Sequence, residues 1–497
     1  MSVLFTLLEK LDYEVLRGNP GIEVTGIFDN SSKVTKGGLF VCISGFRADG
    51  HKFINEAVKN GAKAVVIEKD LDEETVRTLK VENITVIRVK DTRYALAFIA
   101  AAWYAHPADS LKIIGITGTK GKTTTTYMVK SMLENAGYKV GLIGTIEIII
   151  GDEHIPSVNT TPDALSLQGI LRKMADKGIE VVVMEAASQG LKLHRMQGFT
   201  FDLGVFTNLE PDHIGPNEHA SMEEYMYCKG LLFKQCRQGI VNADDAHVLK
   251  VLEGHTCNIE TYGFNEGADL SAYNLMLLKS TGELGIEFDL RGDIEDHFIV
   301  PTPGRFSVYN ALCAIAVAKH FNIKSENIKK ALLDTKVKGR IEMVKTPWPY
   351  TVIIDYAHNA LSLESLLTSL REYKPRRLVT LFGCGGNRTK ERRYGMGEVS
   401  GRLSDLTIIT SDNPRDEDPK AIMEDIRGSV AKAGGKYVEF IDRKDAIRYA
   451  LENGLRNDII VLAGKGHEDY QIVKGIKYPL DERVIIKEII EENSRKK

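Results

Sequence analysis

The stretch GITGTKGKTTTT, Gly115 to Thr126, decides how this chain is read. An apolar run, KIIGIT (112–117), leads into it, and a helical pattern, TTTTYMVKSMLENAGY (123–138), leads out. Val129, Met132 and Leu133 recur at helical spacing, and Gly137 can end the helix. A strand, a glycine-bearing turn and a helix therefore follow one another. The first N–H groups of such a helix lack intrahelical acceptors, and the helix dipole is positive at that end, so an anion is favoured there. Gly118 and Gly121 let the backbone approach phosphate oxygens, Lys122 can reach the β- and γ-phosphates, and the Thr123 hydroxyl can ligate Mg²⁺. The spacing is GxxGxxGKT; Ile116 stands where the commoner GxxxxGK[ST] loop has its first glycine. A glycine-rich turn with a solvated lysine is the bland alternative. The strand–loop–helix context favours a nucleoside triphosphate, ATP.

Bulk properties narrow the class. At 497 residues the chain is too long for one ordinary core, so two to four domains are expected. Apolar residues make up 43% and charged residues 27%, as in soluble globular proteins. The net charge of -3 gives no reason to expect a nucleic-acid surface. Six cysteines at 42, 228, 236, 257, 313 and 384 show no CxxC and no regular spacing, which argues against a zinc site or disulfide framework and for a reducing cytoplasm. The opening MSVLFTLLEKLDYEV reads as a short amphipathic helix rather than a signal peptide. No apolar run approaches membrane-spanning length, so no membrane insertion is expected.

Strand-like runs alternate with helical patterns almost throughout, the signature of α/β architecture with mostly parallel sheets. GLFVCI and AVVIE belong to a first segment; KIIGIT, EVVVME (180–185) and LGVFTN (203–208) to a second; RLVTLFG, DLTIITSD and DIIVLAGKG to a third. Boundaries are placed to give segments 1–107, 108–336 and 337–497. The alternating GIEFDLRGDIEDHFIV (285–300) suits an antiparallel hairpin.

Ligands in such sheets collect at the carboxyl ends of the strands. Glu185 ends EVVVME, His213 follows LGVFTN in TNLEPDH, and Lys229 lies in YCKGLLF. Beside a phosphate loop, a carboxylate and an imidazole suit Mg²⁺. Singly, each has a plain alternative: a helix cap, a loop residue, a solvated lysine.

Taken jointly, TGTKGKTTT, NTTPD (159–163), MEAASQGL (184–191), FTNLEPDH (206–213), PGRFSVYNALCA (303–314), GRIE (339–342), DYAH (355–358) and GKGHEDYQ (464–471) make the chain resemble the Mur ligase family of peptidoglycan synthesis. DNSSKVTKGGLFVCISGFRADGH (29–51) resembles the N-terminal signature of the type that adds the third stem-peptide residue. The resemblance implies three domains: a smaller N-terminal α/β domain for the UDP-sugar, a central P-loop ATPase, and a C-terminal Rossmann-like domain for the incoming amino acid. It implies a monomeric cytoplasmic ligase that transfers the ATP γ-phosphate to a substrate carboxylate and lets an amine attack the acyl phosphate. Lys122, Glu185, His213 and Lys229 would be its catalytic set. Mg²⁺ would be held by Thr123, Glu185, His213 and Lys229, the last as a carbamate. ATP contacts would come from Thr117, Gly118, Thr119, Lys120, Gly121, Lys122, Thr123, Asn310, Arg340 and His358.

By the same resemblance the acceptor is UDP-MurNAc-L-Ala-D-Glu. Its contacts would be Ser31, Phe46, Arg47, Ala48, Asn159, Thr160, Thr161, Ser188 and Arg195. The chain departs from the family pattern at Asn30-Ser31-Ser32 for Asp-Ser-Arg, at Ala187 and Gln189 in the Ser-Ser-His position, and at Leu193, where a glutamine often stands. Ser307 also replaces an asparagine. The amine site would use Arg388, Asp412, Asn413, Pro414, Arg415, Gly464 and Glu468. DNPR (412–415) is the informative stretch, because meso-diaminopimelate differs from lysine by one distal carboxylate and Arg415 can pair with it bidentately. Leaving that arginine unpaired would cost about 2–5 kcal/mol. Asn387 replaces the aspartate of GGDR, and Arg393-Tyr394 replaces Arg-Pro. A paralogue adding lysine or another amine, a folyl-polyglutamate-type ligase and a non-catalytic nucleotide switch are the alternatives.

Overall fold

The computed structural model describes residues 1–45, 48–212, 214–215, 218–280 and 282–495. The expected contacts Phe46 and Arg47 and the expected metal ligand His213 lie outside the described residues.

Apolar runs become parallel strands wherever helices cover both faces, which lets consecutive residues be buried. The chain divides into two units: residues 1–269 with 313–324, and residues 270–312 with 325–497.

Besides a short two-stranded pairing near its start, the first unit carries two larger sheets. In the smaller, Tyr13–Arg17, Thr85–Val89, Ala62–Ile67, Gly38–Val41 and Ile27–Phe28 lie side by side in that order. All neighbours run parallel except the first pair. In the larger, the order is Glu153–Pro156, Glu147–Ile150, Val140–Ile143, Val181–Glu185, Lys112–Thr117, Phe201–Phe206, Cys236–Asn242 and Asn258–Gly263. From Val140–Ile143 onward the pairs are parallel. Lys112–Thr117 sits between Val181–Glu185 and Phe201–Phe206, with Ile116 opposite Glu185 and Thr117 opposite Phe206. That register brings the ends of three strands level at the phosphate loop.

The opening segment is not one helix. Ser2–Val3 pairs with Glu23–Val24, Leu4–Leu7 is a single helical turn, and Tyr13–Arg17 is an edge strand. Backbone bonds from Leu4 and Phe5 to the carbonyls of Ile22 and Pro20 draw this segment into strand pairing, which outweighs its weak helical pattern.

In the second unit, Leu270–Ser280, Glu283–Gly292 and Asp296–Val300 form an antiparallel meander, as the alternation at 285–300 predicts. A six-stranded sheet follows in the order Glu342–Val344, Thr351–Asp355, Ile459–Ala463, Leu378–Phe382, Leu406–Thr410, Tyr437–Phe440, parallel after its first pair. Alternate residues serve opposite faces: Ile353, Val461 and Ile409 enter one core, while Val352, Ile354, Ile460 and Ile408 enter the other. Both faces are covered, so the runs are apolar throughout. All six cysteines are buried and free.

Candidate functional site

The phosphate loop follows from its glycines. Gly118 and Gly121 have φ of 146° and 83°, conformations that side chains resist. A Cβ at Gly118 would collide with the Thr207 hydroxyl. The helix Lys122–Asn135 starts directly after Gly121 and ends with Gly137 at φ 96°. The loop is pinned from the neighbouring strand end: Asn208 Oδ1 accepts from the Lys120 N–H (2.9 Å), and the Thr207 hydroxyl donates to the Lys120 carbonyl (2.7 Å). Lys122 Nζ donates to the carbonyls of Gly118 (2.9 Å) and Thr119 (3.0 Å), so its charge sits within the loop. The Thr119 hydroxyl lies 3.1 Å from the Tyr225 hydroxyl. Thr117 is buried at the end of the strand that feeds the loop.

Glu185, 1% exposed, ends the adjacent strand. Its Oε1 accepts from Thr123 Oγ1 (2.9 Å) and the Thr145 N–H (2.8 Å), and its Oε2 from Thr145 Oγ1 (3.0 Å). The same Thr145 hydroxyl is 3.0 Å from Thr160 Oγ1. Thr161 donates to the Glu185 carbonyl (2.7 Å), and Arg195 Nη1 to the Thr161 carbonyl (2.7 Å). Ser188 and His219 pair at 2.9 Å. Lys229 is 1% exposed, its ammonium 4.3 Å from the Tyr225 ring centroid. Burial first, and then the Lys122 charge, push its amine well below the ordinary lysine value; Asp212 opposes.

A cavity of about 530 Å³ meets this set of residues at Arg195. Ser31, Ala48 and Arg195 line it, with Asp29, Arg93, Asp163 and Leu193. Ser31 is fixed by its bond to Glu56 Oε2 (2.7 Å). Burial, and then the neighbouring Asp163 carboxylate, raise the Asp29 carboxyl above its usual range. Asn159, by contrast, is exposed in the loop before Thr160.

In the second unit, three adjacent parallel strands end together, and the residues after them converge. Gly383–Gly386 follows one, Ser411–Arg415 the next and Gly464–Glu468 the third. A Cβ at Gly386 would strike the Pro414 carbonyl, and one at Gly383 the Thr410 carbonyl, so glycines permit the approach. Asn413 Nδ2 donates to Glu468 Oε2 (2.8 Å), and Arg415 Nη1 to the Gly386 carbonyl (2.6 Å). Arg415 has φ 53°, held by backbone bonds to Ile472 (3.0 Å) and Lys474 (2.6 Å). Asp412 and Pro414 are buried, and a Cβ at Gly464 would come 3.1 Å from Asp412 Oδ2. Arg388 is exposed.

Arg340 stacks over Tyr356 (4.7 Å), and His358 Nδ1 is 2.9 Å from the Tyr356 carbonyl. His467 lies across the same ring at 4.8 Å. Burial, then Arg340, Lys338 and Arg483, depress its imidazole to about 4. Arg340 Nε and His467 Nδ1 are buried with no hydrogen-bond partner among the described residues, a polar surface fit for an anion. A Cβ at Gly339 would collide with the backbone of Gly466 and His467, so GRIE and GKGHE are locked together by bare backbone. Asn310 is buried in the helix Arg305–His320.

Three family models match in series: the "Mur ligase family, catalytic domain" over residues 23–104, the "Mur ligase middle domain" over 116–318 and the "Mur ligase, glutamate ligase domain" over 339–466. The UDP-N-acetylmuramoyl-L-alanyl-D-glutamate–2,6-diaminopimelate ligase of Caldanaerobacter subterraneus subsp. tengcongensis is 42% identical over 99% of this chain and 100% of its own length. The chain belongs to the Mur ligase family. The ligase of the same name from Clostridium botulinum is 43% identical over 98% of this chain and 99% of its own. A solved structure of a ligase of that name is similar with TM-score 0.72 at 27% identity, covering 99% of this chain and 100% of that one.

For a Mur ligase, the donors near the loop are the right kind. Thr123 and Glu185 offer oxygen only, which suits a hard divalent cation. Among the described residues no three His, Cys, Asp or Glu converge as a ready-made metal cage. Sequence reasoning missed Thr145, which holds both Glu185 oxygens, and Asp29, Arg93 and Asp163 in the cavity. It also missed Lys465, though the residue lies inside the quoted GKGHE.

Proposed function

We propose that this Mur ligase joins meso-diaminopimelate to UDP-MurNAc-L-Ala-D-Glu at the expense of ATP, through an acyl phosphate. The observation that carries the chemistry is the convergence of the loop lysine Lys122, the hydroxyl–carboxylate pair Thr123–Glu185 and the desolvated Lys229 at one end of one sheet. A carboxylate is a poor electrophile because its oxygen is a bad leaving group; phosphorylation makes it a good one. Both partners of that step are anions, so placed positive charge does most of the work.

Lys122 and the N-terminus of its helix hold the phosphates. The family resemblance adds Asn310, Arg340 and His358 as nucleotide contacts. Thr123, Glu185 and Lys229 would hold Mg²⁺, with His213 completing the set; the ion, when bound, neutralises phosphate charge. Lys229 joins as a carbamate: its neutral amine attacks the carbon of CO₂, an N–C bond forms as one C=O π bond gives its electron pair to oxygen, and an N–H proton passes to solvent. Burial makes the neutral amine available for that step.

Ser31, Ala48, Thr160, Thr161, Ser188 and Arg195 receive the sugar dipeptide in and beside the cavity, and Asp412, Asn413, Arg415, Gly464 and Glu468 receive the amine. Leu193 lines the cavity, so apolar contact there replaces a glutamine bond. The segments 1–107, 108–336 and 337–497 divide these tasks. The 42% identity to a named diaminopimelate ligase and the Arg415 fork together support that amine over lysine.

Phosphate release tests the reading. Turnover should need ATP, the UDP-muramoyl dipeptide and meso-diaminopimelate together. Equal turnover with L-lysine at the same concentration would overturn the amine assignment.

A further inference from the structure

Lys465 is a fully buried lysine that the reaction above does not use; its relative exposure is 0%. Its ammonium donates to Asn413 Oδ1 (3.1 Å) and Glu468 Oε2 (3.2 Å) and lies 3.8 Å from Asp412 Oδ1. Asn413 Oδ1 also accepts the Ile472 N–H (2.9 Å), while its amide nitrogen donates to the same Glu468 oxygen (2.8 Å). Lys465 therefore fixes which way round the Asn413 amide sits. It also commits Glu468 Oε2, and none of these bonds uses Oε1.

Among the four charged side chains of the amine site itself the formal charges balance. Asp412 and Glu468 are acids; Lys465 and Arg415 are bases. A ligand end that carries one ammonium and one carboxylate enters without leaving a net charge behind. An end that carries an ammonium alone brings a positive charge with no counter-ion into poorly hydrated surroundings, which is costly. Without Lys465 the cluster would be one charge negative and would welcome that cation. Resting on the functional reading above, we propose that Lys465 is a specificity-determining positioning residue: its buried charge makes the amine site favour a zwitterionic distal end over a cationic one.

Steady-state turnover with meso-diaminopimelate and with L-lysine tests this in the full-length enzyme. Lys465→Met should raise the KM for diaminopimelate and lower the ratio of kcat/KM between the two amines by about tenfold or more. The KM for ATP should stay within about twofold, a split that general loosening of the fold would not produce. Lys465→Arg, which keeps the charge, should keep the ratio. If Lys465→Met does not fold, Lys465→Gln is read by the same two quantities. An unchanged ratio in the neutral variant, or a ratio lost equally in Lys465→Arg, overturns the inference, as does a parallel rise in the KM for ATP. A wild-type enzyme that prefers diaminopimelate while Lys465→Met keeps that preference sinks this inference alone; a wild type indifferent to diaminopimelate sinks the functional reading as well.

Discussion

Thr123 Oγ1 donates to Glu185 Oε1 across 2.9 Å, joining the first turn of the loop helix to the end of the neighbouring strand. On the proposed reading the carboxylate, so held, helps to bind the cation that offsets phosphate charge. Glu185→Gln keeps the shape and removes the charge, so kcat should fall by about 10²–10³-fold with the fold intact, read by phosphate release and circular dichroism.

Lys229 makes two predictions. Lys229→Ala should be nearly inactive and regain turnover with added short carboxylates, which supply the missing oxygens. Full activity with no additive would exclude the carbamate. The unmodified amine is held well below the ordinary value of 10.5 in the fold, so between the two values the unfolded chain binds the extra proton. In CO₂-free buffer, stability should therefore rise with pH across that window, and Lys229→Met should lose that part of the slope in melting curves.

Arg415→Ala should cost diaminopimelate about 2–5 kcal/mol in kcat/KM while sparing the KM for ATP. Arg415→Lys should restore little, because a point charge does not replace a planar fork. Kinetics with both amines measures this.

Gly118→Ala places a methyl group against the Thr207 hydroxyl at a φ that side chains resist. Strain of about 1–3 kcal/mol follows. Nucleotide binding by calorimetry should weaken at least in proportion.

Arg443 and Glu482 form a pair with neither side chain exposed, and Arg443 also donates to the carbonyls of Ala463 (2.9 Å) and Ser411 (3.3 Å). Those carbonyls directly precede Gly464 and Asp412. Arg443→Met leaves a buried carboxylate alone and should lower stability by about 3–5 kcal/mol. The KM for the amine should rise with it. Denaturant unfolding and kinetics on the same samples check both.

Local periodicity exposed the parallel strands and the phosphate loop because strand, glycine turn and helix are contiguous in the chain. Gly137 and the hairpin at 285–300 were legible for the same reason. The opening residues misled, since strand partners at Glu23 and Val89 decide their conformation from a distance. Thr145 carries no local mark at all: it matters because the larger sheet brings it to Glu185, forty residues on. Lys465 looked like any lysine between two glycines, and only tertiary burial reveals what it does. Asp29 and Asp163 likewise meet only once the chain has folded.

The six buried thiols have a practical outcome. Burial raises Cys228 to about 11 and Cys313 and Cys384 to about 12, so these three stay protonated, and burial shields all six from maleimides. A surface cysteine engineered into each unit could then carry donor and acceptor dyes without first stripping the native ones. Single-molecule energy transfer could follow the two units through each round of nucleotide turnover in an otherwise unaltered enzyme.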